Sequence, residues 1–110
     1  MLIRIKPLSV NACRQWKRFK TKDYLRYEQM LMLMLPNNII IPKIKFWLLM
    51  VVWYSSPNAD IDNFLKPFLD CLSKKYHFND KQIYEIHLRK NITKKWQEYI
   101  RFEFYQLRSS

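Results

Sequence analysis

The sequence contains no glycine. Any turn that needs a positive φ must therefore use a residue with a side chain, and asparagine and aspartate tolerate this best. Asn37-Asn38, Asn79 and Asn91 are the expected positions. Cysteine is nearly absent. Cys13 and Cys71 stand far apart without metal-ligand spacing, which argues against a zinc ribbon or a disulfide scaffold and for two reduced thiols. Neither His77 nor His87 has a cysteine partner at zinc-site spacing. Long apolar runs are missing too. The longest, Phe46–Tyr54, falls well short of the roughly 20 residues of a membrane-spanning helix. Arg4 and Lys6 lead into a polar, basic stretch, so no signal peptide and a cytoplasmic location are expected. Acidic residues are scarce, with nine Asp and Glu against 20 Lys and Arg and a formal net charge of +11. That excess attracts polyanions, nucleic acid before all others. A membrane surface would require a basic amphipathic helix, and none is visible.

The 110 residues suit a single domain, residues 1–110, whose thin core a dimer would reinforce. Leu2–Lys6 reads as a short strand. Pro7–Lys20 reads as an exposed basic loop, with Arg14, Lys17, Arg18 and Lys20 around Trp16 and Phe19, a mixture suited to DNA backbone contacts and base stacking. Thr21 can cap a helix running to about Leu35, where Pro36 stops it. The end of that helix, "MLMLML", is apolar on every side and is expected to be buried. Lys43–Tyr54 reads as a central strand covered on both faces. Ile61, Phe64, Leu65, Phe68, Leu69 and Leu72 form one apolar stripe, predicting a helix over Ile61–Tyr76. Ile83–Leu88 and Tyr99–Leu107 alternate as strands and are expected to pair as a hairpin. The fold class is therefore α+β: a small mixed sheet of about four strands with two main helices, in the order β-α-β-α-β-β.

The acids that are present gather in "NADIDNFLKPFLD" and just beyond it. Asp62, Lys66 and Asp70 share a helical face, which by itself describes two ordinary i,i+4 ion pairs. Asp60 adds a second carboxylate to the turn already holding Asp62 and Asn63. Two anions that close repel unless a cation lies between them, and a hard divalent ion such as Mg²⁺ takes oxygen ligands of this kind. Asp80 can supply a third if the loop ends converge near the start of the helix. Pro67 frees the carbonyl of Asn63, so the helix either starts late, near Phe64, or bends close to Asp62. Lys66 offers a fixed positive charge for a phosphate oxygen. His77 is a general-base candidate by position alone.

The stretches "SVN", "DIDNFLKPFLDCL", a loop ending "FND" before "QI", and a strand with a terminal lysine resemble RusA-type Holliday junction resolvases, from Pro7 to about Leu107. The resemblance implies a homodimeric crossover junction endodeoxyribonuclease of DNA recombination and repair. Such an enzyme cuts four-way DNA junctions by paired symmetric nicks and uses one or two Mg²⁺ ions per subunit, with Mn²⁺ able to substitute. It assigns metal binding to Asp60, Asp62 and Asp80, and the catalytic lysine to Lys66. Asp70 then orients Lys66, with Asn63 and Asn79 in support. The family often carries two acids at the loop end. Here the first is Asn79, leaving one ligand neutral or lost. The alternative is a non-catalytic basic DNA-binding module with a decayed metal site. A nuclease for flaps or forks would share the chemistry and differ only in substrate.

Overall fold

A computed structural model describes the chain except residues 10–13, 16–18 and 109–110, with the backbone alone at 14, 15 and 19. In chain order the elements are β1 (Leu2–Ile3), β2 (Arg14–Gln15), β3 (Phe19–Lys20), α1 (Lys22–Met34), β4 (Phe46–Tyr54), α2 (Leu65–Tyr76), a 3-10 turn (Asp80–Gln82), β5 (Ile83–Ile92) and β6 (Tyr99–Gln106). The main sheet has four strands in the order β1-β6-β4-β5, with β2 and β3 forming a separate small ladder. This is the α+β arrangement expected from the sequence, with the small ladder lying inside what read as a loop.

Strand β4 is the centre of the sheet. It runs parallel to β5, from Phe46 opposite Ile83 to Tyr54 opposite Ile92, and antiparallel to β6, from Phe46 opposite Gln106 to Trp53 opposite Tyr99. The hairpin expected between β5 and β6 does not form, because β4 lies between them. A strand this apolar is best placed where both of its edges are hydrogen-bonded and its side chains meet neighbours on each side. The link between β5 and β6 crosses the Tyr54 end of β4, where the Thr93 N–H donates to the Tyr54 carbonyl at 2.7 Å.

Both helices contribute to the core on one face of the sheet. Tyr27, Leu31 and Leu35 meet Phe68, Cys71 and Leu72 over Phe46, Leu48, Met50, Val52 and Tyr54 of β4 and Ile100 and Phe102 of β6. On the opposite face Trp47, Leu49 and Trp53 are only half-buried, with Trp47 stacked on Tyr105 at 4.4 Å. Strand β4 is thus central, as expected, but fully covered on one face rather than two. With a single helical layer, α1 also has one buried face rather than an encircled end. Leu31 is fully buried while Leu33 is 87% exposed, which corrects the expected burial of "MLMLML". Thr21 caps α1 as read from sequence, its side chain accepting the Tyr24 N–H at 3.1 Å.

Among the described residues, positive φ occurs at His77 (57°) and Trp96 (71°), not at the expected asparagines. His77 ends α2 in the left-handed conformation. Asn79 is extended, and its side chain caps the 3-10 turn. Asn91 belongs to β5. No helix among the described residues is long and apolar enough to cross a membrane.

Candidate metal and phosphate site

Pro67 sets where α2 begins. It has no N–H, so the first bond of the helical pattern is from the Phe68 N–H to the Phe64 carbonyl, at 3.2 Å. The helix starts at Leu65, four residues after the expected Ile61, with Pro67 buried inside its first turn. Before it, the Asn63 N–H donates to the Asp60 carbonyl at 3.2 Å and the Leu65 N–H to the Asp62 carbonyl at 3.0 Å. Asp60 and Asp62 therefore lie exposed on a turn between β4 and α2, with Asn63 half-buried behind them. Asp62 is not on the helix face, and the expected Asp62–Lys66 ion pair does not form. Lys66 instead pairs with Asp70 at 3.2 Å, as the helical spacing predicts for those two. Asp60 and Asp62 have no ion-pair partner among the described residues.

The turn is held from two sides. Tyr54 ends β4, and its hydroxyl accepts the N–H of the fully buried Phe64 at 3.2 Å. Burial pushes the Tyr54 phenol up to about 12. The bond from Phe64 works against that rise, and the charges of Asp62 and Asp60 add to it, so both carboxylates act on this hydroxyl. From β5, the Lys90 ammonium donates to the Ala59 carbonyl at 2.6 Å and the Pro57 carbonyl at 3.2 Å. The ends of β4 and β5 and the start of α2 thus meet at the acid pair. Lys90 entered the sequence reading only as the terminal lysine of a strand, without a role, whereas Tyr54 was hidden in an apolar run.

Asp80 is elsewhere. Strand β5 does lie beside β4, but parallel to it, so the start of β5 adjoins the start of β4 and not its Tyr54 end. The Gln82 amide next to Asp80 donates to the carbonyls of Lys43 and Ile44 at 2.9 and 3.1 Å. Strand β4 spans about 26 Å over its eight residue steps, and Asp80 and the acid pair lie toward its opposite ends. The expected convergence of the loop ends therefore does not occur within the chain. Asn79 is occupied as a cap, its side-chain oxygen accepting the Lys81 N–H at 3.0 Å. His77, at the same end, terminates α2.

Of the basic residues read as DNA contacts, Lys17 and Arg18 lie outside the described residues, as does the side chain of Arg14. Lys20 is engaged internally, its ammonium 3.0 Å from Glu28 and 5.1 Å from the Tyr24 ring centroid. At the Tyr54 end of the sheet a different basic feature appears, which the sequence reading passed over. Trp96 is 76% exposed and left-handed, and it follows Lys94 and Lys95, with the Lys95 ammonium 5.6 Å from its ring.

The profile of the endodeoxyribonuclease RusA family matches residues 7–103, which include the acid turn, α2, the Asp80 turn and β5. The chain belongs to that family. It is a nuclease of a family that resolves Holliday junctions in branched DNA. A comparison with curated proteins finds no match. RusA nucleases generally depend on a divalent metal, yet among the described residues no group of three or more His, Cys, Asp or Glu side chains gathers to hold one. The Asp60–Asp62 pair fits a Mg²⁺ ion, which is commonly held by one or two carboxylates, waters and substrate phosphate. Asp80 does not join that pair within the chain.

Proposed function

We propose that this RusA-family chain is a single-domain, Mg²⁺-dependent endonuclease that resolves four-way DNA junctions by paired symmetric nicks as a homodimer. The observation that carries this reading is the pair of unpartnered carboxylates, Asp60 and Asp62, on a turn clamped by Lys90 in a chain of net charge +11. A divalent ion bound there supplies neutralisation of the phosphate charge and activation of water. The chain's own groups do the rest. Lys66, exposed in the first turn of α2, presents positive charge to a phosphate oxygen, and Asp70 holds it in place through the 3.2 Å contact. Tyr54 stays protonated and neutral, so the turn gains no third anion. Trp96, with Lys94 and Lys95, offers an aromatic face and two cations to unpaired bases and backbone at the junction. A four-way junction has approximate two-fold symmetry, which a two-fold dimer matches with one site per strand.

Asp62→Asn is expected to abolish Mg²⁺-dependent nicking of a synthetic four-way junction while leaving junction binding intact. Nicking by the purified variant at the wild-type rate would remove the metal-site reading. The distance of Asp80 from the acid pair and the capping role of Asn79 favour one second reading, a DNA-binding module that does not cut. That protein would bind junctions in a salt-sensitive manner and release no product with Mg²⁺ or Mn²⁺.

A further inference from the structure

The link between β5 and β6 leaves the sheet at the end that carries the acid turn. There the Thr93 N–H donates to the Tyr54 carbonyl at 2.7 Å, and Lys90 holds the carbonyls of Pro57 and Ala59. Trp96 follows Thr93 by three residue steps, which reach no farther than about 11 Å. Its backbone therefore stays near this end of the sheet.

The conformation of Trp96 is unfavourable for folding alone. The Gln97 N–H donates to the Lys94 carbonyl at 3.0 Å, closing a four-residue turn with Trp96 at its third position. Its φ of 71° belongs to the place that a type II turn normally gives to glycine. A bulky L-residue is disfavoured there. Burial does not compensate. Trp47 and Trp53 are half-buried in the sheet, whereas Trp96 is 76% exposed. The Lys95 ammonium sits over one face of the ring, 5.6 Å from its centroid, and the exposure leaves the other face open. A strained aromatic held out in solvent points to a partner outside the fold. Lys94 and Lys95 beside it, in a chain of net charge +11, favour nucleic acid as that partner over another protein surface.

We propose that Trp96 is the residue by which this chain senses a branch: its open face stacks on a base left unpaired at the branch point, while Lys94 and Lys95 hold neighbouring phosphates. This use rests on the branched-DNA reading above and adds selectivity to it. In continuous duplex each base has a neighbour on both faces, so an indole finds no free base surface. At a branch point the stack is interrupted, and the ring takes the place of the missing neighbour. The ring therefore favours branched DNA over linear duplex, whereas the two lysines favour both alike. Because the link and the acid turn share one end of the sheet, the sensed base lies close to the phosphate at the acids.

The test is equilibrium binding, without divalent ion so that nothing is cut, to a four-way junction and to a linear duplex of the same sequence. Trp96→Gly removes the ring at a position whose backbone suits glycine. It should lose about tenfold in affinity for the junction and change affinity for the duplex by less than about twofold. Trp96→Phe, which keeps an aromatic face, should recover most of the loss. Lys94→Ala/Lys95→Ala should instead weaken both complexes alike and flatten their salt dependence. The melting temperature of Trp96→Gly should equal or exceed that of wild type. The proposal is overturned by a wild type with no junction preference, by equal losses of Trp96→Gly on the two DNAs, or by a melting temperature well below wild type. A change in the sedimentation of Trp96→Gly also overturns it, because the ring then sits between protein copies. Cutting of the junction by wild type with Mg²⁺ is measured separately. An intact, Trp96-dependent preference without cutting removes the nuclease reading and upholds the branch-sensing one.

Discussion

At the scale of the residue, Pro67 and Lys90 place the acids. Pro67 has no N–H to give the Asn63 carbonyl, so α2 starts late and leaves Asp60 and Asp62 on a turn. The sequence allowed a late start or a bend, and the chain takes the late start. Lys90 ties that turn to the sheet through the carbonyls of Pro57 and Ala59. Lys90→Met is expected to lower stability by about 1.5–3 kcal/mol, the scale of a lost hydrogen bond from a charged group. It should also speed amide exchange at Asn63 and Leu65, which a general loss of packing would not confine to the turn. Unchanged exchange at those two amides would show that Lys90 does not hold the turn. The acids themselves were legible because two carboxylates in one turn are unusual in so basic a chain. Lys90 was not, since its partners are backbone carbonyls some thirty residues away, on another element.

At the scale of the element, local pattern located α1 and the four strands of the main sheet closely, and missed the small β2–β3 ladder. Alternation shows which side chains of a strand share a face, but says nothing about which strand lies alongside or in which direction it runs. The hairpin expected between β5 and β6 failed for that reason, and so did the convergence of Asp80 with the acid pair. The same topology leaves β5 as an outer strand.

At the scale of the whole molecule, one layer of helices on one sheet leaves a thin core that contains groups able to ionise. Burial pushes the phenols of Tyr54 and Tyr76 from 10.0 to about 12, and the Cys71 thiol from 9.0 to about 12. Between these values the unfolded chain has released protons that the folded chain still holds, so stability falls as pH rises. The melting temperature should decline progressively from about pH 9 to pH 12, and Cys71→Ala should remove the earliest part of the decline. A flat profile would mean that these groups are solvated when folded. Composition and local pattern alone determined the polyanion partner, the elements and the family resemblance, because net charge, turn chemistry and side-chain period depend only on residues close in sequence. Tertiary structure alone decided that β4 separates β5 from β6 and that β5 runs parallel to β4. Strand order and direction follow from which edges and faces remain to be satisfied once the core has formed. That choice puts Asp60 and Asp62 at one end of the sheet and Asp80 at the other.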